Sequence, residues 1–264
     1  IGVRLVGSEM CIRDRHEGAL FVAKFNDDGT GSWINLSAAG MAPDETVIFA
    51  RLAADKLGAT TMDRPEWVAA NPFKAEAYVC LTNNKNRGKE GKKQPVNAVN
   101  PRVNNQYGQI VRWEPAGGNH SNPDFIWDVF VVAGNPDVHS DANAGSDNIN
   151  SDNMFNSPDG LKFDKFGNLW ILTDGKYSNK GDFAGMGNNQ MLLGNTVTGE
   201  ISRFLVGPKE CEVTGITWSE DCKTMFVGIQ HPGENGNSHF PGGPGTVPRS
   251  SIIAVTREDG GIIG

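Results

Sequence analysis

Ser157-Pro158-Asp159-Gly160-Leu161-Lys162-Phe163-Asp164, a Gly167-Asn168 turn, then Leu169-Trp170-Ile171-Leu172-Thr173-Asp174: this stretch decides the fold. It reads as a short strand, a hairpin turn and a second strand with an aromatic near its start. The same unit stands on either side. Upstream it is Arg64-Pro65-Glu66-Trp67-Val68-Ala69-Ala70-Asn71, a turn, and Ala77-Tyr78-Val79-Cys80-Leu81-Thr82-Asn83. Downstream it is Glu212-Val213-Thr214-Gly215-Ile216-Thr217-Trp218-Ser219, a turn at Glu220 to Lys223, and Met225-Phe226-Val227-Gly228-Ile229. Such units at intervals of roughly 40 to 50 residues are the signature of propeller blades. The step from Asp159 to Thr214 fits one blade, and the longer step from Glu66 to Asp159 fits two. Gly108 to Trp113 and Phe125 to Val132 read as strands of an intervening blade, and Ser250 to Val255 as a final strand pair. The expected fold is all-β, a partial β-propeller of roughly four to five blades, fewer than a closed ring usually needs.

Composition agrees. The 264 residues include 33 Gly and 14 Pro, and apolar residues come in short runs broken by Asn, Asp and Gly. One short helix is expected near residues 44–57. There Pro43-Asp44-Glu45 supplies an acidic first turn, Ile48 and Leu52 share a face, and Gly58 can end the helix. A formal net charge of -7 disfavours nucleic acid and anionic lipid as partners. No stretch approaches the roughly 20 apolar residues of a membrane span. Residues 1–16 (IGVRLVGSEMCIRDRH) continue no pattern found downstream and resemble translated adaptor sequence, so they read as a non-native leader. Residues 17–264 then form the C-terminal part of a single propeller domain. Cys211 and Cys222, separated by an extended run, are not expected to be bridged.

In a propeller, equivalent positions of successive inner strands reach the same level of the central channel. Each repeat opens on a carboxylate: Glu66, Asp159 and Glu212, the last two positions early when Gly215 is aligned with Gly160. Three inward carboxylates repel one another unless protons or cations neutralise them. Hard oxygen donors suit Ca²⁺, and Fe³⁺ is likewise oxygen-seeking. Against this stands a plain role for Asp159 as a turn residue in Pro-Asp-Gly. For the Glu residues that reading is weaker, since Glu is a poor turn former. Asp137 to Asn156 is rich in Asp and Asn but lacks EF-hand spacing, so it reads as a solvated loop. Asn156, directly before the Ser-Pro-Asp-Gly entry, is the exception and is counted with the metal candidates. His231 reads equally as a turn residue, and Cys211 as buried packing on the face opposite Glu212. No Gly-x-Ser-x-Gly elbow or phosphate-binding glycine loop occurs, which argues against serine catalysis.

Met62-Asp63-Arg64-Pro65-Glu66, Phe155-Asn156-Ser157-Pro158-Asp159-Gly160, Glu212-Val213-Thr214-Gly215 and Ile229-Gln230-His231-Pro232-Gly233-Glu234, taken in that order, closely resemble the PhoX-type alkaline phosphatases. The resemblance runs from about Gly18 to Gly264. It implies a monomeric, secreted or periplasmic phosphomonoesterase acting on small phosphate monoesters with calcium and ferric iron. It carries Glu66 and Glu212 over as metal ligands, with Asp159 a third. Arg64 and Arg249 are the candidate phosphate contacts, and alternation puts Arg64 on the face of Glu66. The resemblance also implies a further cysteine ligand upstream, so that this chain alone is expected to be inactive. A calcium-dependent lactonase or esterase propeller and a non-catalytic, partner-binding propeller stay open beside it.

Overall fold

A computed structural model describes residues 18–264, so the expected leader lies outside the described residues. Among the described residues thirteen strands form three antiparallel sheets. The first sheet is β1 (Phe21–Phe25), β2 (Thr30–Asn35), β6 (Asp124–Val132), β5 (Gln109–Pro115), β4 (Ala77–Leu81) and β3 (Pro65–Ala70), in that spatial order. The second runs β10 (Ile201–Val206), β9 (Gln190–Asn195), β8 (Asn168–Thr173), β7 (Pro158–Phe163). The third is β11 (Glu212–Trp218), β12 (Thr224–Gln230), β13 (Ser251–Thr256). β3 packs against β7, and β11 against β7 and β8, so the sheets stack in chain order with the edge strands β3, β7 and β11 side by side. This is propeller-like packing.

The blade number differs from expectation. The described residues hold three blade-like sheets, not four to five, because β1, β2, β5 and β6 join β3 and β4 in a single sheet. Two long excursions, between β4 and β5 and between β6 and β7, stretch one blade to the length of two. The first is anchored by a buried ion pair, Arg87 Nε to Asp63 Oδ1 at 2.7 Å. The second was expected to be solvated, yet its end packs inside: Met154 and Phe155 join the core, and Asn153 donates to the Ile201 carbonyl.

The middle sheet explains the unbroken apolar run of Leu169 to Leu172. Leu169 and Ile171 face the first sheet, packing with Tyr78, Ile110 and Val131. Trp170 and Leu172 face the third, packing with Val213, Met225 and Val227. A strand buried on both faces has no polar alternation to show.

Each hairpin turn opens on a polar side chain that accepts turn N–H groups. Asp164 takes those of Phe166 and Asn168, Asn71 those of Phe73 and Lys74, and Ser219 Oγ that of Thr224. The expected helix is two: α1 (Pro43–Ile48), with Pro at its start, and α2 (Ala50–Lys56), broken at Phe49, whose φ of -107° and ψ of 40° are not helical. Thr46 and Ala53 form its buried side, while Ile48 and Leu52 are exposed. Cys80, Cys211 and Cys222 are free, buried thiols, as the spacing of the last two required. Among the described residues no helix is long and apolar enough to cross a membrane.

Candidate metal centre and cleft

The site is assembled by three identical backbone devices. Two residues before each entry carboxylate stands a residue with left-handed backbone: Arg64 (φ 56°), Ser157 (φ 51°) and Glu210 (φ 58°). None is Gly, and such a conformation is uncommon and strained for other residues. Counted from the kink, Glu66, Asp159 and Glu212 hold the same position. The two-residue offset seen at Gly215 is therefore not a displacement of the carboxylate; it is taken up as extra length in β11. Each strand then carries a bulge: between Pro65 and Val68, between Pro158 and Gly160, and at Gly215. Glu66, with Trp67, is unpaired in the first and Asp159 alone in the second, so both carboxylates are free to be aimed away from the ladder.

The charges meet. Burial, followed by the negative charges of Glu66, Glu212 and Asp174, pushes the Asp159 carboxyl up to about 6, with Arg64 opposing. Glu212 is buried and also raised, by desolvation first and Asp174 second. Behind them the Cys80 thiol is held well above its ordinary range by burial, then by Asp159 and Glu66. Glu212 Oε2 accepts from Gln230 Nε2 at 2.9 Å and lies 3.6 Å from His231 Nε2. One donor atom each from Asp174, Glu212 and His231 lies within 4.8 Å of the others. Two carboxylates and an imidazole at that separation suit a metal ion, and His231 Nδ1 is a buried atom without a partner.

Asp174 was not singled out from sequence, and His231 was given only an even reading. The signal was present in the pairing. Pro158 pairs with Thr173 across the hairpin, so the end of the second strand returns to the entry of the first. His231 closes β12 in the same way, since Glu212 pairs with Gln230.

Arg64 reaches the site, but not by strand alternation, which its left-handed turn and the following bulge interrupt. It lines a cleft of about 1130 Å³ together with Asn83, Asn105, Ser157, Asp174, Lys176 and Tyr177, and its Nη1 donates to Asn83 Oδ1 at 3.2 Å. Asn156 is buried, and its amide braces the Asp174 loop: Oδ1 accepts from Lys176 N at 2.8 Å and Nδ2 donates to Lys176 O at 3.2 Å. Arg249 is exposed on the segment before β13, its N–H bonded to Phe240 O, and it does not line this cleft. Cys211 is fully buried with Val213, on the face opposite Glu212 as alternation required.

A family model described as "Alkaline phosphatase PhoX" matches residues 6–233. Among solved structures, Pseudomonas fluorescens PhoX in complex with vanadate, a transition state analogue, is similar to this chain at 53% identity, with a TM-score of 0.90. The match covers 98% of this chain and 48% of that one, so the chain spans about half the length of this neighbour. No curated protein matches.

Proposed function

This chain belongs to the PhoX family of alkaline phosphatases, and on that premise we propose that it forms the metal-holding half of a phosphomonoesterase site. One observation carries the reading. Glu66, Asp159 and Glu212, on the edge strands β3, β7 and β11 of three successive sheets, come close enough for the charges of Glu66 and Glu212 to raise Asp159, with Arg64 at the same place. A site that concentrates carboxylates beside a guanidinium is built for cations and a phosphate. The vanadate bound by the neighbouring phosphatase is a mimic of phosphoryl transfer, which agrees with this use of the fold.

Calcium and ferric iron are the cations proposed, because the donors are hard oxygens with one imidazole. Asp174, Glu212 and His231 would hold one ion, with Glu66 and Asp159 turned to the same place. Such ions neutralise charge on phosphoryl oxygens in the transition state. The chain's own part is to position. Arg64 contacts the phosphate oxygens, and the amide-rich wall around Asn83 and Asn105 orients the ester. A periplasmic or secreted, monomeric enzyme belongs to the same reading, since calcium is abundant outside the cytoplasm.

The test uses a chain of full family length containing this sequence, assayed with p-nitrophenyl phosphate. Chelation should abolish hydrolysis and calcium with iron should restore it. Glu212→Gln should lower kcat by about 10² or more, the scale of losing a key electrostatic group. Hydrolysis of lactones with no action on the phosphate ester would replace the reading with a lactonase.

A further inference from the structure

The three left-handed entry residues use their side chains differently. Arg64 faces the cleft, and Ser157 Oγ accepts from Asn83 Nδ2 at 3.2 Å, joining the first two sheets. Glu210 is buried, and its carboxylate accepts the N–H of Asn235 at 2.8 Å, the N–H of Asn237 at 3.3 Å and Asn237 Nδ2 at 2.5 Å. Those residues belong to the loop that leaves β12 at His231. From the same loop Asn235 Nδ2 donates to Tyr177 Oη at 2.6 Å, and Tyr177 Oη donates to Glu234 Oε2 at 3.2 Å. Tyr177 belongs to the loop that leaves β8 at Asp174. A continuous chain of hydrogen bonds thus ties together the three segments that carry Glu212, His231 and Asp174.

We propose that Glu210, acting through Asn235 and Tyr177, is a positioning residue that sets the spacing of the Asp174, Glu212 and His231 donors and with it the affinity for a cation. The inference rests on the reading of those three as cation donors. Residues 234–237 are exposed and make no strand, so their order depends on bonds such as these. A cation tolerates donor displacement poorly, and partners that orient ligands commonly change affinity by 10- to 100-fold when lost. A glutamate is also a costly choice at φ 58°, where Gly or Asn is usual. Its three accepted bonds give that choice a purpose.

The experiment is calorimetric titration of the chain with calcium alone, with the urea midpoint in chelator as a separate measure of folding. Glu212→Ala should abolish binding. Glu210→Ala should weaken it by about 10- to 100-fold, and Tyr177→Phe by about tenfold. Glu210→Gln should stay within about threefold of the unmodified chain, because its amide oxygen still accepts both loop N–H groups. The double change Glu210→Ala with Tyr177→Phe should be no worse than Glu210→Ala, as both act on one path. If Glu210→Ala lowers the urea midpoint but keeps full affinity, the residue is merely structural and the proposal fails while the donor reading stands. If Glu210→Ala does not fold, Tyr177→Phe decides on the same criterion. No binding by the unmodified chain overturns both.

Discussion

Asp159 is where the electrostatics of the site can be read on a single group. In the folded chain it titrates near 6, against 3.8 unperturbed, because burial and then three neighbouring carboxylates oppose its ionisation. The fold therefore binds this proton more tightly than the unfolded chain does. The stability it contributes is complete below about pH 3.8 and is lost as pH rises through about 6. The Tm gained on adding calcium should accordingly be larger at pH 7.5 than at pH 5, where the cation must displace a proton. Calorimetry of the chain and of Asp159→Asn checks this. The variant should flatten the trend, and an equal trend in both would remove Asp159 from the site. Glu66, Asp159 and Glu212 were legible in the sequence because the repeat itself placed them. Asp174 and His231 were not, since they sit at the far ends of second strands and reach the site only through antiparallel pairing.

At the scale of elements, the six-residue strand β3 depends on a brace that lies outside it. Asp63, three residues before Glu66, is fully buried and accepts from Arg87 Nε at 2.7 Å, Asn84 Nδ2 at 2.9 Å and Asn105 Nδ2 at 2.8 Å. Removing the arginine leaves a buried carboxylate without its counter-ion, which typically costs about 3–5 kcal/mol. Arg87→Met should lower the stability measured by urea unfolding by that amount, whereas Arg257→Met, at a solvent-exposed pair with Asp259, should leave it almost unchanged. The excursion that carries Arg87 also explains the misjudged blade number. Hairpins are read from local pattern, but strand pairing across a long insertion leaves no local trace. β4 and β5 are partners with Tyr78 opposite Arg112, and nothing between them in sequence announces it. The single helix was misread for a related reason. Ile48 and Leu52 have helical spacing, but the break at Phe49 turns the two halves so that Thr46 and Ala53 face inward instead.

For the whole molecule, the sequence conveyed the architecture because the propeller texture repeats, and a repeat survives errors in any one unit. Its stacking order follows from the middle sheet, which shares one apolar core with each neighbour. Among the described residues the third sheet has three strands where the second has four, and β13 forms its outer margin. Ile252 on that strand is 78% exposed. In colloidal terms such a margin is a template: a row of amide and carbonyl groups beside an uncovered branched side chain invites another strand to lie alongside. The chain by itself should therefore be limited by stickiness rather than by unfolding, with light scattering that grows with protein concentration well below the melting temperature. Ile252→Lys should suppress that growth while leaving the melting temperature in place. The lifetime of this fold in concentrated solution would then turn on what lies along one strand as much as on the carboxylates at its centre.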